Sequence, residues 1–222
     1  MKKHTIAITS ILLLFIGLQS CKKDKLATKG ITESWDITSS NTGTTYTMTV
    51  FYPDKQFPST PVPVIYVLDG FWWKDMAGEV ISDLSGSGKI PKCLMVSLDY
   101  KKDDGVYARS VDLQYPGDGV DAKAAGEKFF QFMKTELLPK VDGKYECDTA
   151  NRVLFGHSLG GIFTLYSLLD NATHPLFKKC IAASCSIGLG LDNYIFEKEK
   201  IAATKVTDLP VKLFIGSGTY VG

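Results

Sequence analysis

The stretch with the clearest chemical potential is Gly156-His157-Ser158-Leu159-Gly160-Gly161. An apolar β-type run, Arg152-Val153-Leu154-Phe155, leads into it, and the helix-like Ile162-Phe163-Thr164-Leu165-Tyr166-Ser167-Leu168-Leu169 follows. A serine on a tight strand-to-helix turn projects its hydroxyl off the end of a sheet, and flanking glycines let the backbone turn without a Cβ clash. Amides at the start of the following helix can then meet negative charge developing on a carbonyl oxygen. A glycine-rich turn of no chemical interest would share the glycines. The strand before and the helix after favour Ser158 as a nucleophile.

A second amide is expected from the loop after an earlier strand. Val67-Leu68-Asp69-Gly70-Phe71-Trp72 sits in that place, Gly70 permitting the turn, so that the Phe71 N–H pairs with the Leu159 N–H around the oxyanion. An ordinary β–α loop with its aromatic residues packed inward is the competing reading.

The base is harder to find. In this arrangement the order is serine, acid, histidine. Of three histidines, His4 lies in the leader and His157 occupies the variable position beside the serine, facing a helix–sheet contact. His174 falls beyond the helix that starts at Ser158, whose end near Asp170 is already roughly 18 Å from the serine at ~1.5 Å per residue, and reads as a loop or cap residue. The acid should follow the strand Val211 to Ile215, whereas Asp192 and Asp208 precede it and read as a helix N-cap and a turn residue. The expectation is a chain lacking a C-terminal segment with the last strand, the last helix, the acid and the histidine. Little or no turnover is expected of the 222-residue form alone.

The elements that must position these residues follow from pattern. Thr32 to Ser39 and Thr44 to Tyr52 alternate and flank Asn41-Thr42-Gly43, an antiparallel hairpin. Pro58 to Pro63 breaks the pattern before the apolar strand Val64 to Leu68; residues 74–86 are helical, and Cys93 to Leu98 is another buried strand. Residues 100–120 read as a polar loop, its Tyr100-Lys101-Lys102-Asp103-Asp104 run solvated, and Ala122 to Leu138 as an amphipathic helix closed by Pro139. After the Ser158 strand and helix come a strand at Lys179 to Ser184, a helix at Asp192 to Ala203 and a strand at Val211 to Ile215. Strands alternating with helices give an α/β fold with a mostly parallel sheet and the hairpin at its edge.

At 222 residues and 45% hydrophobic content the chain can build one sizeable core. The N-terminus is of another kind. Met1 to His4 is basic, Ile6 to Leu18 is an apolar stretch too short to span a bilayer, and Leu18-Gln19-Ser20-Cys21 resembles a bacterial lipobox. That resemblance implies a signal peptide over 1–20, lipid on Cys21, a polar tether over 21–30 and a domain over 31–222. The same resemblance implies a product exported and held on a membrane, facing the periplasm or the cell surface. Without Lys2 and Lys3, 23 basic face 24 acidic side chains, and no basic stripe with interleaved aromatics suggests nucleic acid. No metal-ligand spacing or dinucleotide loop implies a cofactor. Cys93, Cys147, Cys180 and Cys185 remain after Cys21, with Cys93 and Cys180 read as core thiols.

Tyr66-Val67-Leu68-Asp69-Gly70-Phe71-Trp72, Arg109-Ser110-Val111-Asp112-Leu113-Gln114-Tyr115-Pro116 and the Ser158 motif occur in an order that resembles the esterase-D-like family of α/β hydrolases. That family includes enterochelin (siderophore) esterases, S-formylglutathione hydrolase and feruloyl or acetyl-xylan esterases. The similarity covers residues 31–217. It implies an α/β-hydrolase fold, Ser158 as nucleophile, Phe71 and Leu159 as oxyanion donors, and Arg109 in a loop bordering the cleft, as a clamp more than a substrate contact. The implied reaction is cleavage of a carboxylic ester, in a small molecule or linked to a glycan, through an acyl-enzyme. An acyltransferase on the same fold and a non-catalytic homologue or binding protein are the alternatives.

Overall fold

The computed structural model describes residues 30–101, 105–113, 122–186 and 192–217. The expected signal peptide at 1–20 and all of the tether except Gly30 lie outside them, and so does Cys21.

Two strands, β1 (Ile31–Thr38) and β2 (Thr45–Tyr52), form the expected antiparallel hairpin, with Ile31 opposite Tyr52 and Thr38 opposite Thr45. Alternation sorts β2, burying Tyr46, Met48 and Val50, while β1 turns Thr32, Ser34, Asp36 and Thr38 outward. A polar, charged face of this kind blunts an edge strand against pairing with another chain. Five further strands complete the sheet: β3 (Val62–Val67), β4 (Leu94–Tyr100), β5 (Cys147–His157), β6 (Lys179–Ala183) and β7 (Lys212–Gly216). Their order is β1-β2-β4-β3-β5-β6-β7, with β2 antiparallel to β4 and all later pairs parallel. Leu94 to Leu98 are buried without interruption, as a strand covered on both faces requires. Strand β3 starts earlier than its prolines suggest. Pro63 lies at a register shift between Val62 and Val64, where its missing N–H breaks no regular ladder.

Six α-helices flank the sheet among the described residues: α1 (Gly70–Gly86), α2 (Gly105–Leu113), α3 (Ala122–Phe132), α4 (Leu138–Lys144), α5 (Leu159–Asp170) and α6 (Asp192–Lys205). Helix α1 covers one face, its Ile81, Trp73 and Ala77 packing with Phe51, Val67 and Met95. The other face holds the larger core, with Phe129 and Phe132 of α3, Phe163 and Tyr166 of α5, and Ile195 and Ala202 of α6. Residues Gly160 to Leu169 of α5 are all buried, which explains a segment apolar on every side.

Two expectations are corrected here. Residues 105–113 are helical, not loop: α2 is pinned to the sheet through buried Leu113 and Asp112, contacts that a short charged stretch does not announce. Pro139 also does not close its helix. Met133–Leu137 form a wide π-turn, and Pro139 follows in the first turn of α4, where a missing N–H costs least.

Candidate active site

The sheet itself creates a crevice. From β3 the chain crosses through α1 to β4 on one side, and from β5 through α5 to β6 on the other, although β3 and β5 are neighbours. At such a switch point the connections diverge and leave a gap beyond the carboxyl ends of the two strands. Two helix N-termini border it, Gly70-Phe71 from α1 and Leu159-Gly160 from α5. Amides of a first helical turn have no intrahelical acceptor, so this gap is suited to negative charge.

Ser158 stands at the end of β5 with φ 57° and ψ −116°, a strained conformation for a residue with a Cβ. Its surroundings hold it there. The Ser158 N–H donates to the Ala183 carbonyl at 3.0 Å, and the Ser158 carbonyl accepts from Ile162 N–H at 3.2 Å. The motif glycines are required by contact. A Cβ on Gly156 would run into the Gly160 carbonyl, and one on Gly161 would stand 2.8 Å from Cys185 Sγ. Ser158 Oγ shares a 2.8 Å hydrogen bond with Ser186 Oγ, in the turn after β6. Ser186 is a site residue that sequence reading missed, since only the pairing of β5 with β6 brings it near.

The loop after β3 differs from expectation in one respect. Its left-handed residue is Asp69 (φ 56°, ψ 46°), not Gly70. Gly70 is needed for close approach: a Cβ there would lie 2.9 Å from Ser97 Cβ and Oγ. Phe71 is 77% exposed and Trp72 54%, so these two rings stand in solvent beside the crevice, while Trp73 turns inward against Phe155 at 6.0 Å. Arg109 Nε and Nη2 donate to Asp69 Oδ1 and Oδ2 at 2.6 and 2.7 Å, and its Cζ lies 5.3 Å from the Trp72 ring centre. Arg109 is therefore engaged as a clamp on this loop, through Asp69, a partner that sequence reading did not single out. The available signal was an Asp before Gly at a strand end, since Asp is among the few side chains that tolerate this conformation.

Among the described residues, no histidine is hydrogen-bonded to Ser158. His157 packs on Trp73 at 4.6 Å between ring centres, and His174 lies past the far end of α5, bonded to Thr173 Oγ1. Cys93, Cys147, Cys180 and Cys185 are all free, with Cys93 and Cys180 buried. Burial pushes the Cys93 thiol up to about 11 and the Cys147 and Cys180 thiols up to about 12. Among the described residues no group of three or more His, Cys, Asp or Glu could hold a metal ion, and no helix is long and apolar enough to cross a membrane. A surface cleft of about 380 Å³, lined by Asn41, Glu127, Gln131, Tyr166 and Asp170 among others, opens toward the opposite end of α5.

One buried acid lies near the clamp. Asp112, 3% exposed and one turn along α2 from Arg109, accepts a 2.6 Å hydrogen bond from Tyr46 Oη. Burial raises its carboxyl to about 6, with the Tyr46 bond acting the other way. Together Arg109 and Asp112 fasten α2 at two points, on the end of β3 and on β2.

The model of the family described as "Putative esterase" matches residues 39–200. The chain is 28% identical over 208 residues to the ferri-bacillibactin esterase BesA of Bacillus subtilis, covering 84% of this chain and 70% of that one. It is 26% identical over 180 residues to the apo-salmochelin esterase of Escherichia coli, covering 75% of this chain and 55% of the other. Among solved structures, the BES protein from Bacillus cereus superposes with a TM-score of 0.74 at 25% identity, over 85% of this chain and 74% of that one. The architecture is that of the esterase α/β-hydrolase fold.

Proposed function

The chain belongs to the "Putative esterase" family, and from that premise we propose that it is a serine esterase acting on a siderophore-type ester. The observation carrying this is Ser158, held in a strained turn at the switch-point crevice between two helix N-termini. In the proposed reaction Ser158 Oγ attacks the ester carbonyl while a base takes its proton. The Leu159 and Phe71 amides receive the carbonyl oxygen as it becomes negative, and the alcohol leaves with that proton. Water then releases the acid from Ser158. The substrate class comes from the relatives, two of which are named as esterases of bacillibactin and salmochelin.

Among the described residues, neither His157 nor His174 is hydrogen-bonded to Ser158. Strand β7 leaves Leu213, Phe214 and Ile215 exposed, Phe214 by 63%, which is unusual for a parallel strand. We infer that a further segment covers this edge and brings a histidine to Ser158. The lipobox supports a second proposal, that Cys21 anchors the protein to a membrane after export.

A non-catalytic binding role is the second reading, favoured by the positions of His157 and His174. The experiment is hydrolysis of ferric and iron-free siderophore esters by the wild type and Ser158→Ala. Ser158-dependent release of acid and alcohol supports the esterase. Tight binding with no turnover supports the second reading, and product that forms only with an added alcohol acceptor indicates an acyltransferase.

A further inference from the structure

Asp69 is a carboxylate in a costly place. It is 2% exposed and holds a left-handed backbone conformation one residue before α1, and its carbonyl accepts the Trp72 N–H at 3.0 Å. Its side chain crosses to the other helix. A Cβ added to Gly160 would stand 3.2 Å from Asp69 Oδ2, so the carboxylate lies against the first turn of α5. The two helix starts that carry the amides assigned to the oxyanion, at Gly70 and at Gly160, therefore both border one buried carboxylate. Left alone, that charge would repel the second negative charge that forms on the substrate carbonyl.

Arg109 answers this charge. Its side chain is 16% exposed and meets both oxygens of Asp69, a two-point geometry that fixes the plane of the carboxylate as well as its position. Lysine, a point charge, cannot supply that plane.

We propose that Asp69 and Arg109 are positioning residues for the oxyanion site. The pair locks the 69–72 turn against α5, and Arg109 cancels the Asp69 charge where the oxyanion forms. This rests on the serine-esterase reading above. Neither residue touches the reacting atoms; both act through the Phe71 and Leu159 amides.

Two measurements test it. The first is the rate at which a fluorophosphonate modifies Ser158 in wild type, Asp69→Asn, Arg109→Gln, Arg109→Lys and the double variant Asp69→Asn/Arg109→Gln. Asn tolerates the left-handed conformation, so Asp69→Asn removes charge and leaves the turn. Arg109→Gln leaves a bare buried carboxylate and is expected to slow modification about 100-fold. The double variant is expected to recover to within about fivefold of Asp69→Asn, and Arg109→Lys to fall between wild type and Arg109→Gln. A merely structural arginine predicts no recovery in the double variant, and that result overturns the charge role. The second measurement is hydrogen exchange at the Trp72 amide, which needs no activity. Faster exchange in Arg109→Gln than in wild type supports the clamp, and equal exchange overturns it. If the wild type is not modified at all, the esterase reading fails, while the exchange comparison still decides the clamp.

Discussion

Replacing Asp112 by Asn should change how stability depends on pH. In the unfolded chain this carboxyl has the ordinary value of 3.8, and in the fold it stands at about 6, because burial disfavours its charged form. At about 1.4 kcal/mol per pH unit, ionised Asp112 withdraws about 3 kcal/mol from the folded state. The sign follows from the direction of the shift. A raised carboxyl supports the fold fully below pH 3.8, and that support is lost as pH rises through about 6. Asp112→Asn cannot ionise, and its amide oxygen can still accept from Tyr46 Oη. Urea unfolding of both proteins, followed by circular dichroism from pH 4 to pH 8, measures the difference. Relative to wild type, the variant should gain about 2.5 kcal/mol across this range, most of it by pH 7. The comparison cancels exposed carboxylates such as Glu33 and Asp36, which are lowered by hydrogen bonds to Lys144 and Thr47 and respond in the opposite sense. A stability difference that is flat with pH, or that falls, refutes the account of this carboxyl.

Three other outcomes follow from the same geometry. Gly156→Ala should lower stability by about 3 kcal/mol in denaturant titration, because its Cβ meets the Gly160 backbone, which cannot move aside as a flexible side chain can. Ser158→Gly should raise stability by about 1 kcal/mol in the same assay while removing fluorophosphonate modification, since glycine relieves the φ 57° strain. Cys93, Cys147 and Cys180 should react slowly with an aromatic disulfide reagent at pH 8 in the native protein and rapidly after denaturation, because burial keeps them as thiols.

The parts of the fold legible in the sequence were those where burial writes a period. Alternation in Thr45–Tyr52 marks the hairpin, and the unbroken apolar run in α5 marks a core helix. Helix α2 was missed because its stability comes from two side-chain pins, Arg109 to Asp69 and Asp112 to Tyr46, which join residues 40 and 66 positions apart. The π-turn before Pro139 was missed for a related reason, since proline rules describe a regular helix and a wide turn resets the register. At the site, the Ser158 motif was visible because its glycines, strand and helix are contiguous. Asp69 was hidden by Gly70, the residue that composition marks as the turn maker, although the left-handed conformation falls on the acid. Ser186 carries no local signal at all, and only the pairing of β5 with β6 reveals it.

The most direct test of the central claim, that Ser158 is the nucleophile, is covalent capture. The protein, purified from the cells that make it, is treated with a fluorophosphonate and its mass is measured before and after digestion. A single adduct on the peptide containing Ser158, absent in Ser158→Ala, is the predicted result. No adduct, or one at another residue that persists in Ser158→Ala, contradicts it.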